Sequence, residues 1–449
     1  MFRDYINKNK ENFLKDLYDL LRIDTVLVEQ PEVKDAPFGP NLVKALNYCL
    51  DLGRKCGFKT TNIDNIVGEI EMGKGDETIA MLCHLDVVPT GTGWTTPPFE
   101  PNIRDGKLFA RGSLDDKGAA IASLYAMKAI NELGIKLNKK VILILGTDEE
   151  TGTRDMKRYL EVRPMPTMGF SPDAQFPLIY GEKGIMSIDI KINAEDDGLE
   201  VESGDRYNVV PQEAWAKGIK DTSDYLKYLE KTNSKGKLEE DKIYAYGLRA
   251  HAMEPKLGIN AILKLCNYLK DKTNNKLVHF VSDCLNDSRF KDIDLDFTDY
   301  EMGDLTCNLA LMNLKSGVGK IGLNLRYPVR WKKEEFLNAL TKKASEYDLS
   351  VEVIHDSVPL YVKPNSDLIK TLQKAYVKVT KDDRTPLLTI GGGTYARYLK
   401  NCVAFGPLKP GREDVCHIVD EYIYLEDLLD SCEIYAEALA ELGKWELEK

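Results

Sequence analysis

Only five of the 449 residues are histidine, and two of these, His84 and His417, stand among carboxylates. His84 opens HLDVVP, with Asp86 two residues on. Asp115 and Asp116 are adjacent in GSLDDKG, Glu149 and Glu150 in LGTDEETG; Asp173 lies in SPDAQFP and His417 in REDVCHIVDEY. Imidazole nitrogen and carboxylate oxygen are the donors that zinc, manganese or cobalt accept, and zinc suits this set best. Two histidines and three carboxylates can hold two divalent ions about 3.5–4 Å apart if one carboxylate is shared. Such a pair clamps a substrate carbonyl and acidifies a bridging water, and a further carboxylate is then needed as base. Side chains of adjacent residues point in different directions, so one of Glu149 and Glu150 as ligand and the other as base fits. Asp86 is placed to accept the other ring N–H of His84.

Each motif also has an ordinary explanation. A histidine beside a strand is usually a structural hydrogen-bonding residue. Asp115 and Asp116 could cap a helix, and Glu149 and Glu150 could open one, favoured by its dipole. Four such clusters in one domain, in a chain with so few histidines, favour the metal reading.

The elements that must position these residues are legible from apolar spacing. Residues 12–22 and 41–52 read as amphipathic helices, and 115–133 as a long helix. The continuous apolar runs TIAMLC (78–83) and VILILG (141–146) read as buried strands, as do 167–171 and 402–406. Strands alternating with helices predict a mostly parallel sheet flanked by helices. The clusters follow these strands or open the long helix, so they converge at the carboxyl rim of the sheet, where ligands sit in such folds. From about residue 185 the pattern changes to alternating strands such as GIMSIDIKIN, charge-rich loops and a helix at 258–270. Near 368 the first pattern returns, ending in a helix at 425–443. The expectation is an α/β fold: a discontinuous catalytic domain of residues 1–184 and 376–449, with an inserted α+β lid domain of residues 185–375.

Composition excludes several classes. A net charge of -11 argues against nucleic-acid binding, which favours a basic face. No apolar run approaches the ~20 residues of a membrane span. Nine scattered cysteines without a CxxC pair point to a reducing compartment. The first residues lack the apolar run of a signal peptide, so a cytoplasmic location is expected.

At these residues the chain resembles the metallopeptidase superfamily of aminoacylases, carboxypeptidase G and succinyl-diaminopimelate desuccinylase, and within it the peptidase V group of bacterial dipeptidases. HLDVVPTGTGWTTPPFEP, LFARGSLDDKGA, LGTDEETG, FSPDAQFPLIYGEKG, IGGGTYAR and FGPLKPGREDVCH match that group in order and spacing. The resemblance implies that Asp115 bridges two metals, that His84 and Asp173 complete one site, and that Glu150 and His417 complete the other. It implies Glu149 as general base and Asp86 as the residue orienting His84. In the inserted domain it implies His251 as oxyanion stabiliser and Asn208 and Arg326 as the clamp on the substrate carboxylate. Gly391, Gly392, Gly393 and Thr394 become a substrate-contacting loop. The enlarged lid implies a functional monomer, and the carboxylate clamp implies specificity for dipeptides or very short peptides with a free N-terminus. Two alternatives remain at this level: an N-acyl amino acid deacylase or desuccinylase of the same superfamily, and a metal-binding module without catalysis.

Overall fold

The computed structural model describes residues 1–30 and 32–444, which divide into two compact units. Of these, the first unit comprises residues 1–30, 32–181, 361–388 and 394–444; the second comprises 182–360 and 389–393. The chain therefore passes from one unit to the other four times. The expected second boundary at 375/376 is corrected to 360/361. It would cut the helix Asp367–Thr380, which packs along the C-terminal helix Leu425–Leu442 of the first unit. The first boundary, expected at 184/185, falls at 181/182.

The first unit is built on four parallel strands: β1 (Thr78–His84), β2 (Lys140–Gly146), β3 (Met168–Ser171) and β4 (Cys402–Ala404), in the spatial order β2-β1-β3-β4. Antiparallel strands Val67–Met72 and Lys59–Ile63 extend the sheet beyond β2. Successive side chains of a strand point to opposite faces. In β1 every residue from Ile79 to His84 is buried, as is every residue of β2 from Val141 to Gly146. Both faces are therefore covered, which is why these segments are apolar without alternation. Helix α1 (Lys117–Glu132) lies against β1 and β2 and against α2 (Leu425–Leu442). The run of small residues in KGAAIASLYAMKA lets α1 bury almost all round.

The second unit is an eight-stranded, wholly antiparallel sheet with helices Ala261–Leu269, Lys276–Cys284 and Lys333–Ser345. Strand Gly184–Asn193 pairs along its whole length with Val318–Tyr327, placing Ile185 opposite Arg326. Met186, Ile188, Ile190 and Ile192 all enter one hydrophobic core, and Ser187 and Asp189 between them are buried as well, so the strand expected to be half-buried is covered on both faces along its middle. The helix Lys276–Cys284 had no counterpart in the sequence reading. Among the described residues no helix is long and apolar enough to cross a membrane.

Candidate active site

The rim at the carboxyl ends of β1, β2 and β3 carries the acidic and histidine residues. His84 is the last residue of β1. Glu149 and Glu150 follow β2 in a turn, and Asp173 follows β3 by two residues. Asp115 and Asp116 precede α1, joined by a cis peptide. His417 stands in the long loop between β4 and α2, at a left-handed φ of 64°.

These residues form two groups that share Asp115. His84, Asp115 and Asp173 offer one ligand atom each within 4.8 Å of one another, and so do Asp115, Glu150 and His417. One oxygen of Asp115 is 2.9 Å from Nε2 of His84, and the other is 3.0 Å from Nε2 of His417. His417 Nε2 is also 2.9 Å from a carboxylate oxygen of Glu150. The carboxylate of Asp115 thus faces both imidazoles at once.

The electrostatics suit cations. Burial by itself would lower the His84 pKa, but Asp115, Asp173 and Asp86 raise it well above the ordinary range. His417 likewise is pushed up to about 11 by Asp115 and Glu150, against burial. Burial would raise Asp115, yet hydrogen bonds from His417 and His84 hold it well below the usual carboxylate range. Glu150 is pushed up to about 7 by burial and by Asp115. Burial, then Asp173, raises the Glu149 carboxyl well above its ordinary value. A crowd of carboxylates that drives its imidazoles to hold protons is a site short of positive charge, which divalent cations supply. The donor chemistry and the spacing both fit two such ions.

Two ordinary readings are displaced. Asp116 sits at the N-cap of α1 but makes no capping bond; its carboxylate accepts the backbone N–H of His84 at 3.1 Å. Glu149 and Glu150 do not open a helix, since the next one begins at Arg154. The part of Asp86 is also different in detail. The ring Nδ1 of His84 donates to the backbone carbonyl of Asp86 at 2.9 Å, and the nearest carboxylate oxygen is 3.4 Å away. That carboxylate accepts the N–H groups of Glu149 and Glu150 at 3.2 and 3.0 Å.

The model of peptidase family M20/M25/M40 matches residues 80–441. The chain belongs to this family. It is a hydrolase of peptide bonds, and the paired clusters are the candidate site of the metal on which M20 peptidases depend. It is 42% identical to the Bacillus subtilis (strain 168) protein named "Putative dipeptidase YtjP", over 97% of this chain and 98% of that one. Two solved structures share the fold. Human carnosine dipeptidase 1 is similar with a TM-score of 0.61 at 14% identity, and the di-peptidase Dug1p from Saccharomyces cerevisiae with 0.60 at 14%. Each comparison covers 98% of both chains.

The remaining residues expected from the sequence fall mostly in the second unit. Arg326 is buried; its Nε donates to Asn324 Oδ1 at 2.9 Å and its Nη1 to the Gly391 carbonyl at 3.0 Å. His251 and Asn208 are exposed on neighbouring segments, and the Ala252 N–H donates to the Asn208 carbonyl at 2.9 Å. His251 Nδ1 accepts the Met253 N–H at 3.1 Å, which leaves Nε2 as the ring's protonated nitrogen when the imidazole is neutral. A side chain at Gly391 would press on Met253. Arg326, Gly391, Met253, His251 and Asn208 therefore form one connected patch, with Gly392 and Gly393 next in the chain. Thr394 belongs to the first unit, where its hydroxyl accepts the Ala396 N–H at 3.1 Å and caps a short turn.

Several supporting residues escaped the sequence reading. Asp155 accepts the N–H groups of Thr147 and Asp148 at 2.6 and 2.8 Å and the hydroxyl of Tyr395, so it anchors the turn leading to Glu149. A side chain at Gly146 would collide with Tyr395 and Asp155. The Tyr395 ring stands edge-on to His84, with centroids 6.2 Å apart. The available signal was the density of ionisable residues in TDEETGTRD, five of nine.

Proposed function

We propose that this peptidase hydrolyses dipeptides, or similarly short peptides with a free N-terminus, in a two-metal site. The observation that supports it most is the shared position of Asp115 between His84 and His417. His84, Asp115 and Asp173 would hold one divalent ion, and Asp115, Glu150 and His417 the other. Bound there, the ions supply Lewis acidity toward the scissile carbonyl and toward the attacking water.

The chain's own residues do the rest. We assign the proton of the attacking water to Glu149, which stands beside Glu150 on the turn held by Asp86. It then returns that proton to the leaving amine. Asp86 holds the Glu149–Glu150 turn and the His84 ring. His251 Nε2–H stabilises the developing oxyanion. Arg326, held by Asn324 and Gly391, binds the substrate's terminal carboxylate with Asn208, since a guanidinium matches a carboxylate with two parallel bonds. Residues Gly391 to Thr394 contact the substrate backbone. A clamp on the terminal carboxylate limits what fits on the C-terminal side, so short peptides are selected. The protein works as a monomer in the cytoplasm, with zinc as the first candidate ion and manganese or cobalt as substitutes.

The test is a hydrolysis screen. Metal-stripped protein is reloaded with zinc, manganese or cobalt and offered dipeptides, their N-acylated forms and tripeptides. Fast cleavage of free dipeptides is expected. Preference for the N-acylated forms would establish a deacylase instead, and no cleavage with any ion would leave a binding module.

A further inference from the structure

We infer that Glu421 is a positioning residue of the metal centre, holding Asp115 in register with His417; the inference rests on the two-metal reading above. One carboxylate oxygen of Glu421 accepts the N–H of Leu114 at 2.9 Å and the N–H of Asp115 at 3.1 Å. The other accepts Nη1 of Arg111 at 2.7 Å. The Glu421 backbone carbonyl takes the Ala110 N–H at 3.2 Å. One residue thus receives four hydrogen bonds from segment 110–115. Both partners of the Arg111–Glu421 ion pair are 1% exposed. Arg111 also reaches the Pro89 carbonyl at 3.4 Å, in the segment that follows His84 and Asp86. The preceding Asp420 accepts the N–H and hydroxyl of Thr95 at 2.9 and 2.7 Å.

The two halves of the centre differ in what holds them. His84 ends a buried strand and is 1% exposed, so packing fixes its ring. His417 is 51% exposed, on a loop. Packing holds it less than it holds His84, and its distance from Asp115 depends also on the loop's anchor. That anchor is Glu421, four residues on, whose carboxylate grips the Asp115 amide itself. Loss of the grip should therefore loosen the Asp115–Glu150–His417 half first.

The experiment is metal titration of the full-length, metal-stripped protein with cobalt, followed by calorimetry and by the visible absorption of the bound ion. Wild type should take up two ions. In Glu421→Gln, whose amide cannot accept from both the backbone amides and Arg111, one ion should bind about 10–100-fold more weakly and the other close to normally. Glu421→Asp keeps the charge but is one methylene short. It should show the same one-ion loss, and it serves if the Gln variant does not fold. Lys139→Met breaks a different ion pair of the same unit, between a buried lysine and the partly exposed Glu77, and should leave both affinities unchanged. Unaltered affinities in both Glu421 variants, or an equal loss in Lys139→Met, overturn the inference while the two-metal reading stands. A wild type that takes up fewer than two ions overturns that reading, and this inference with it.

Discussion

The backbone N–H of Glu150 donates to the side-chain carboxylate of Asp86 at 3.0 Å. Because the other oxygen takes the Glu149 N–H and the Asp86 carbonyl takes the His84 ring, one residue sets the positions of three site residues. In Asp86→Ala the Glu149–Glu150 turn loses its anchor inside a buried site. The expected result is a kcat lowered about 10–100-fold, with a smaller change in KM. Steady-state kinetics on a dipeptide, with a melting curve to show that the fold persists, check this.

Glu149 touches neither cluster as a ligand in the proposed scheme. Glu149→Gln should therefore keep both ions while kcat falls by about 10²–10⁴. Elemental analysis and kinetics on the same sample decide between base and ligand: loss of an ion would make Glu149 a ligand, and near-normal turnover would remove it from the mechanism.

Metal uptake should be coupled to pH. In the metal-free protein His84 is raised well above 6.5 and His417 to about 11, so both rings hold protons at neutral pH. Ligation needs the neutral ring, so binding releases protons and apparent affinity rises with pH. Calorimetry in two buffers of different ionisation enthalpy counts the protons released. For stability of the metal-free protein the sign is opposite. The raised pKa of His417 adds stability that is complete below about 6.5 and is lost as pH rises through about 11. The melting-temperature gap between wild type and His417→Gln, both kept with chelator, should close as pH rises from neutral toward 11. A chelator should also lower the melting temperature of the loaded enzyme and abolish turnover, and added metal should restore both.

Arg326 tests the carboxylate clamp. Arg326→Met preserves much of the side chain's bulk but loses the donors to Asn324 and Gly391 and to the substrate. An increase in KM of about tenfold or more for dipeptides is expected, from loss of a charge-assisted bond of about 1.5–3 kcal/mol. The comparison substrate is the dipeptide amide, which has no terminal carboxylate. It should be a poor substrate for wild type and no worse for the variant.

Much of the fold was legible because buried parallel strands must be apolar throughout. TIAMLC and VILILG lie within β1 and β2, and the change to alternation near residue 185 lies within the strand Gly184–Asn193. The C-terminal unit boundary was placed too late. A helix signal near 368 says that a helix exists, not which core it packs on, and only its contact with α2 assigns it.

The sequence by itself determined the donor types: two imidazoles and a set of carboxylates in motifs following strands, enough to name the metal chemistry and, through their order and spacing, the family. Tertiary structure decided how those donors are shared and supported. No local rule places the N–H groups of Glu149 and Glu150 on Asp86, some sixty residues earlier, or makes Glu421 the anchor of Asp115, some three hundred residues earlier. A buried carboxylate must find donors wherever the folded chain brings them, and those partners are set by packing rather than by spacing along the chain.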